Sequence, residues 1–299
     1  MSKIVVVGSS NTDMVVKTER FPKPGETIIG GDFYMFSGGK GANQAVAAAR
    51  LGGDVSFICC VGDDVFGKNA LVQYKNEGID VDAALIKKDT ASGVALITVN
   101  ASGENEIVVA SGANAQLNAA HLDAVESIFS TAKIVLTQLE VPMETVEALA
   151  EKCKTNKLPL IINPAPAAKL SAAILKGLYL ITPNETETFI LTGIEVTDVK
   201  SAKVAGNYFL EQGVQNVIIT MGSQGAFFMN AETNFLMMPP KVNAVDTTAA
   251  GDVFNGALTT ALAQGDNWED SIKLANKAAA LSVTKLGAQI SAPTLEEIK

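Results

Sequence analysis

Asp252 lies in AVDTTAAGDVFNGALTTALA (244–263), directly behind Ala249, Ala250 and Gly251. Three small residues at the start of a helix leave its first-turn N–H groups bare. Those groups, with the positive end of the helix dipole, can face an anion. A carboxylate beside such a cradle can take a hydroxyl proton while the cradle neutralises charge on a transferring phosphoryl group. Taken alone, Asp252 is explained by dipole compensation, worth about 0.3–1 kcal/mol. The pairing of base and cradle is what points to chemistry.

A second segment, FSGGKGANQAVAAARLGG (36–53), sets Gly38, Gly39 and Gly41 before a helix, with Lys40 and Asn43 as polar neighbours. Glycines there let backbone come close to a ligand, although a plain tight turn accounts for them equally well. Upstream, SSNTD (9–13) puts Asn11 and Asp13 just past the carboxyl end of the first strand. In open α/β sheets ligands bind at that end, and an amide with a carboxylate suits the vicinal hydroxyls of a sugar.

Other chemistries are excluded by inventory. The single histidine, His121, sits near the start of a helical stretch (116–129), where a surface or capping role is expected, so a Ser-His-Asp triad and HExxH or Cys/His zinc sites have no residues to use. GDDVFGKN (62–69) has a P-loop skeleton, but Asn69 replaces the magnesium-holding Ser or Thr and Asp63 and Asp64 would repel phosphate; it reads as a turn before a helix. No G-x-G-x-x-G follows a strand. The 299 residues carry a net charge of −9 without a basic run, which argues against a nucleic-acid or anionic-membrane partner. Three cysteines, Cys59, Cys60 and Cys153, fit neither metal nor disulfide spacing and suggest a reducing compartment. With only Ile4 to Val7 as an apolar N-terminal run and no membrane-spanning stretch, the expected location is cytoplasmic.

Positioning such groups requires a particular scaffold. Short β-branched runs at 3–8, 55–62, 133–140, 158–164, 178–184 and 214–222 alternate with helical patterns such as 40–51, where Ala42, Ala45, Val46 and Ala49 repeat at i, i+3, i+4, i+7. This predicts an α/β fold: a mostly parallel central sheet flanked by helices on both faces. Residues 13–37 and 93–110 instead alternate apolar and polar residues, with a hairpin connection at Asn100 to Asn105. They are expected to form a small antiparallel β lid, or else an edge extension of the main sheet, within a single domain spanning 1–299.

GGKGANQA (38–45) and DTTAAGDVFNGAL (246–258) resemble the two signature segments of the ribokinase-like (PfkB) carbohydrate kinase family. SSNTD, QLE (138–140), NPAPA (163–167), NETE (184–187) and GAQ (287–289) are similar to its ribokinase branch. The resemblance implies ATP-dependent phosphorylation of D-ribose at O5. It makes Asp252 the general base, with the N–H groups of Ala249, Ala250, Gly251 and Asp252 as the anion hole. Asn11, Thr12, Asp13, Gly39, Lys40, Gly41, Asn43 and Glu140 would form the ribose pocket. The Asp13 and Glu140 carboxylates would also disfavour a phosphorylated sugar.

For ATP the resemblance assigns Asn184, Thr220, Met221, Gly222, Ser223, Gly225, Gly251 and Asn276, the last where relatives often carry His. NETE resembles the family's magnesium-associated motif, with Glu187 acting on Mg²⁺ through water. Read as local structure, NETE is a helix start with Asn184 as N-cap and Glu187 as capping-box partner, and both readings can hold. A potassium loop is implied at Asp246, Thr248, Ser282, Lys285, Gly287 and Ser291, with Ile290 standing where many relatives have proline. A homodimer through the lid is also implied. The family alternative to AAGD is GAGD, so alanine at 249 should keep the cradle provided its φ is negative. The alternatives are a kinase for another furanose, such as 2-deoxyribose or a nucleoside, and a non-catalytic sugar-binding protein on the same fold.

Overall fold

Ile4 and Val6 of the first strand pack into one buried apolar cluster while Val5 and Val7 pack into another, as a strand covered on both faces must do. The computed structural model describes residues 3–298. Its strands are β1 (Lys3–Val7), β2 (Asn11–Lys17), β3 (Phe33–Gly38), β4 (Asp54–Ile58), β5 (Cys60–Gly62), β6 (Leu85–Lys87), β7 (Gly93–Val99), β8 (Asn105–Ala110), β9 (Ala132–Thr137), β10 (Leu160–Ile162), β11 (Leu180–Ile181), β12 (Asn216–Thr220), β13 (Ala226–Asn230) and β14 (Asn234–Met237). The helices are α1 (Lys40–Arg50), α2 (Val65–Asn76), α3 (Ala119–Ala124), α4 (Glu126–Phe129), α5 (Met143–Thr155), α6 (Ala172–Leu175), α7 (Glu185–Thr192), α8 (Val199–Glu211), α9 (Ala250–Gln264), α10 (Trp268–Ser282) and α11 (Leu295–Ile298).

Eight strands form the main sheet in the order β14-β13-β12-β11-β10-β9-β1-β4, parallel from β12 to β4. The antiparallel edge pair β13–β14 was not among the expected strands. The expected strand 55–62 divides at Cys59: β4 stays in the main sheet and β5 pairs only with β6. Asp64 caps α2 by accepting from Gly67 N at 2.8 Å, so the P-loop-like segment is a turn before a helix.

The second sheet has the order β3-β2-β7-β8 and corresponds to the lid segments. Its outer pairs are antiparallel as expected, but the central pair β2–β7 is parallel. Both strands rise from the carboxyl edge of the main sheet in the same sense, so the junction between the two lid segments cannot be a hairpin. Cross-strand register puts Met35, Met14, Leu96 and Val108 in one row and Phe36, Asp13, Ala95 and Val109 in another, on the opposite face.

The contact that matters most for the site is the crossing of α1 and α9. A Cβ at Gly256 would lie 2.7 Å from Ala47 Cβ and 2.7 Å from Gln44 O, so only glycine lets the helices come this close. One turn toward their N-termini, the same two helix faces carry Asn43 and Gln44 on α1 and Asp252 on α9.

Candidate active site

The carboxyl ends of the parallel strands converge on the N-termini of α1, α7 and α9. Gly39, with φ 89°, starts α1, and a Cβ there would meet Asn11 N at 2.8 Å. Gly41 is held equally tightly against Ser9 N, and Gly38 against the Asp13 carboxylate. These glycines therefore serve close packing of the α1 start on the Ser9–Asp13 segment, not only approach to a ligand. The packing lets Glu140 Oε2 accept from Lys40 N at 2.9 Å and from the Ser9 hydroxyl.

Asp252 is 5% exposed. Its Oδ2 accepts from Asn43 Nδ2 and its Oδ1 from Gln44 Nε2, each at 2.9 Å. Burial raises its pKa, against the opposing pull of the Lys40 charge and the two amides. The Lys40 ammonium is in turn pushed up, chiefly by the Asp252 charge.

Ala249 has φ 59° and ψ 12°, so the condition of a negative φ is not met: the residue that starts α9 is left-handed. The chain turns sharply out of the Thr247–Thr248 segment there, a geometry natural to glycine and strained for alanine. The cradle nonetheless survives in modified form. Ala250 N donates to Thr247 O at 3.2 Å, while the N–H groups of Ala249, Gly251 and Asp252 have no protein acceptor among the described residues. A Cβ on Gly251 would meet nothing within 4 Å, so that glycine opens onto free space. Lys40, Asn184, Glu187, Thr220 and residues 249–252 line this cavity of about 220 Å³.

A second cavity, about 340 Å³, opens under the lid between Asn11, Val109, Asn114 and Glu140. Asn114 Nδ2 donates to Asn11 Oδ1 at 2.7 Å, which turns the Asn11 amide nitrogen free. Thr12 and Asp13 continue from Asn11 into the lid strand. Burial, with the neighbouring charges of Glu140 and Asp252, pushes Asp13 up to about 6.

Asn184 and Glu187 form the expected capping box, with Glu187 N to Asn184 Oδ1 at 2.8 Å and Asn184 N to Glu187 Oε2 at 2.9 Å. Burial raises the Glu187 pKa. Thr220 bridges to Asn184 at the adjoining strand end, and Met221 to Gly225 form a tight turn closed by Met221 N to Gly225 O. Gly222 and Ser223 are exposed on that turn. Asn276 sits apart from the cavity: its Nδ2 donates to Met237 O at 2.8 Å and braces α10 against β14. His121 Nε2 contacts Ala83 O at 2.8 Å and ties the start of α3 to the segment before β6.

Around the proposed potassium site, Asp246 joins the two loops. Oδ1 accepts from Thr248 N and Oδ2 from Gly287 N, both at 2.9 Å. Burial opposes ionisation, but these bonds outweigh it and hold the carboxyl below its ordinary range. Lys285 turns its ammonium away to Glu297, and Ser282 and Ser291 are buried with their hydroxyls on Ala279 O and Ala288 O. The carbonyl groups of these residues remain the candidate ion ligands.

Gln44, Gln138, Asn163, Thr182 and Asn255 were not singled out, yet they form the polar floor of the site. Gln44 Nε2 also donates to Asn163 Oδ1, Asn163 Nδ2 to Thr182 O, Thr182 Oγ1 to Asn255 Oδ1, and Asn255 Nδ2 to Gly251 O. The available signal was position: Gln44, Gln138, Asn163 and Asn255 lie inside the segments GGKGANQA, QLE, NPAPA and DTTAAGDVFNGAL.

The profile of the pfkB family carbohydrate kinases matches residues 1–295. The sequence is 44% identical to a ribokinase of Haemophilus influenzae, over 98% of this chain and 96% of that one. It is 37% identical to a deoxyribokinase of Salmonella typhi, over 98% and 96% respectively. A solved ribokinase of Arabidopsis thaliana, complexed with ribose and ATP, matches with a TM-score of 0.94 at 31% identity, covering 100% of this chain and 98% of that one.

Proposed function

The chain belongs to the pfkB family of carbohydrate kinases and phosphorylates D-ribose with ATP, and we propose that the phosphoryl group goes to O5 with Asp252 as general base. The observation that carries this reading is a buried carboxylate at the mouth of a helix where the N–H groups of Ala249, Gly251 and Asp252 are unpartnered beside a cavity that these residues line. Asp252 takes the O5 proton, O5 forms its bond to the γ-phosphorus in line, and the bond to the β–γ bridging oxygen breaks to release ADP. Charge on the transferring oxygens is met by the N–H groups of Ala249, Gly251 and Asp252 and by Lys40. Asn11, Asp13 and Glu140 hold the sugar hydroxyls under the lid. The nucleotide lies along Asn184, Thr220 and the Met221–Gly225 turn.

Among the described residues no three His, Cys, Asp or Glu side chains converge as a metal cage. Glu187, half-buried at the phosphate end of the cavity, fits Mg²⁺ held mainly by water and phosphate, where the ion supplies charge neutralisation. The Asp246 carboxylate with the carbonyls of Thr248, Ser282, Lys285, Gly287 and Ser291 is a hard-oxygen set suited to K⁺. Its place in the chain just before Ala249 would let it stiffen the cradle.

The exposed row Met35, Leu96 and Val108 supports a homodimer through the lid. The three free cysteines are all buried, which agrees with a cytoplasmic setting, and among the described residues no helix is long and apolar enough to cross a membrane. The two sheets are read as one domain with an inserted lid. A coupled ADP-release assay across ribose, 2-deoxyribose, fructose and adenosine tests the substrate assignment: ribose is expected to give the highest kcat/KM, and a better rate with any of the others would overturn it.

A further inference from the structure

Gln44 has no solvent exposure, and every polar atom it carries is engaged. Its two Nε2 hydrogens go to Asp252 Oδ1 at 2.9 Å and Asn163 Oδ1 at 3.0 Å, and its Oε1 accepts from Gln138 Nε2 at 2.5 Å. The reverse amide orientation would set Gln44 Oε1 against both the Asp252 carboxylate and Asn163 Oδ1, and would oppose two NH₂ groups at Gln138. The donor therefore has one stable direction, and Gln138 imposes it from the end of β9. Gln138 acts as the donor in this pair, and its own Oε1 stays buried without a partner. The close α1–α9 crossing at Gly256 fixes the distance over which this works.

We propose that Gln44 is a positioning residue for Asp252, its amide being oriented by Gln138 and Asn163 so that the carboxylate is held at the cavity. The inference rests on the reading of Asp252 as base but concerns a different residue. Asn43 holds the other carboxylate oxygen and is assigned to the ribose pocket by the resemblance, whereas Gln44 has no such assignment and is fully buried; neither residue lines either cavity. The charged groups acting on Asp252 or acted on by it are Lys40 at the start of α1, Glu140 after β9, Asp13 on β2 and Glu187 on α7. Gln44, like Asn43, is a neutral donor set among them. It favours the ionised carboxylate, and removing it makes protonation easier.

The test compares Gln44→Met and Gln138→Met with wild type. Each keeps nearly the same volume, and the second disturbs the orientation without touching Asp252. Gln44→Met is expected to lower kcat about tenfold at neutral pH, to move the acid limb of the kcat–pH profile upward by about one pH unit, and to leave KM for ribose and ATP within about twofold. Gln138→Met is expected to move the limb in the same direction by less. In parallel, ¹³C NMR of Cγ-labelled aspartate, assigned with Asp252→Asn, reads the Asp252 carboxyl directly and should show its titration move upward in both variants. An NMR shift without a kcat-limb shift would support the positioning but remove Asp252 as the base. Folded variants in which neither the titration nor the limb moves, or failure of both variants to fold, would make Gln44 a packing residue and overturn the inference.

Discussion

Replacing Ala249 by glycine is expected to stabilise this protein, and the sign follows from one dihedral angle. At φ 59° and ψ 12° the Ala249 Cβ is pressed toward its own carbonyl, which costs an L-residue about 1–2 kcal/mol. Glycine escapes that cost but loses more chain entropy on folding, about 0.5–1 kcal/mol. The difference leaves Ala249→Gly more stable by roughly 0.5–1 kcal/mol, which in a chain of this size raises Tm by about 1–3 °C. Ala250→Gly supplies the control. The chemical change is identical and one residue further on, but Ala250 is the first residue of α9 and has no such strain to relieve. It should therefore destabilise, by about 0.5 kcal/mol. Urea unfolding of the two variants beside wild type reads both signs, and kcat of Ala249→Gly should stay within about threefold because no cradle donor is removed. A less stable Ala249→Gly, or equal effects at 249 and 250, would refute the left-handed start of α9.

Three further outcomes follow from the same geometry. Asp13 is raised in the folded protein from 3.8 to about 6, so the native state binds more protons than the unfolded chain between those values, and stability should fall as pH rises from 4 to 6. Asp13→Asn should flatten that slope and stabilise the ligand-free protein at pH 7 by about 1–3 kcal/mol in thermal or urea unfolding, while weakening ribose binding; an unchanged slope would contradict the assignment. Light scattering should give twice the 31.2 kDa chain mass, and Val108→Asp on the exposed lid row should shift the protein toward monomer; a wild-type monomer at micromolar concentration would remove the dimer. Rates at equal ionic strength should be higher in potassium than in a large organic cation, mainly through kcat, and identical rates would remove the Asp246 site.

Local features of this molecule were legible in the sequence. The small-residue run before Asp252, the NETE cap, the β-branched strands and the alternation in the two lid segments are all local patterns, because helix starts and sheet alternation are short-range effects. What escaped depends on long-range geometry. The left-handed Ala249 is set by how the chain enters α9, and the one pointer to it was the glycine that the family's alternative GAGD places at 249. Gln44 lies beside Asp252 only because Gly256 admits α1 to close range, 208 residues apart in sequence. The parallel pairing of β2 with β7 joins segments 82 residues apart at the register Asn11↔Gly93. The GGKGA glycines suggested ligand approach, whereas part of their need is contact with Ser9, Ser10 and Asp13.

The central claim is that Asp252 removes the O5 proton in an ATP-dependent transfer to ribose. Single-turnover phosphorylation of ¹³C-labelled ribose, followed by ³¹P and ¹³C NMR with wild type and Asp252→Asn, tests it most directly. The account predicts ribose 5-phosphate from wild type and a rate lower by about 10²–10⁴-fold in the variant, with ribose and ATP affinities little changed. A variant retaining more than about a tenth of the wild-type rate, or phosphate appearing on another hydroxyl, would contradict it.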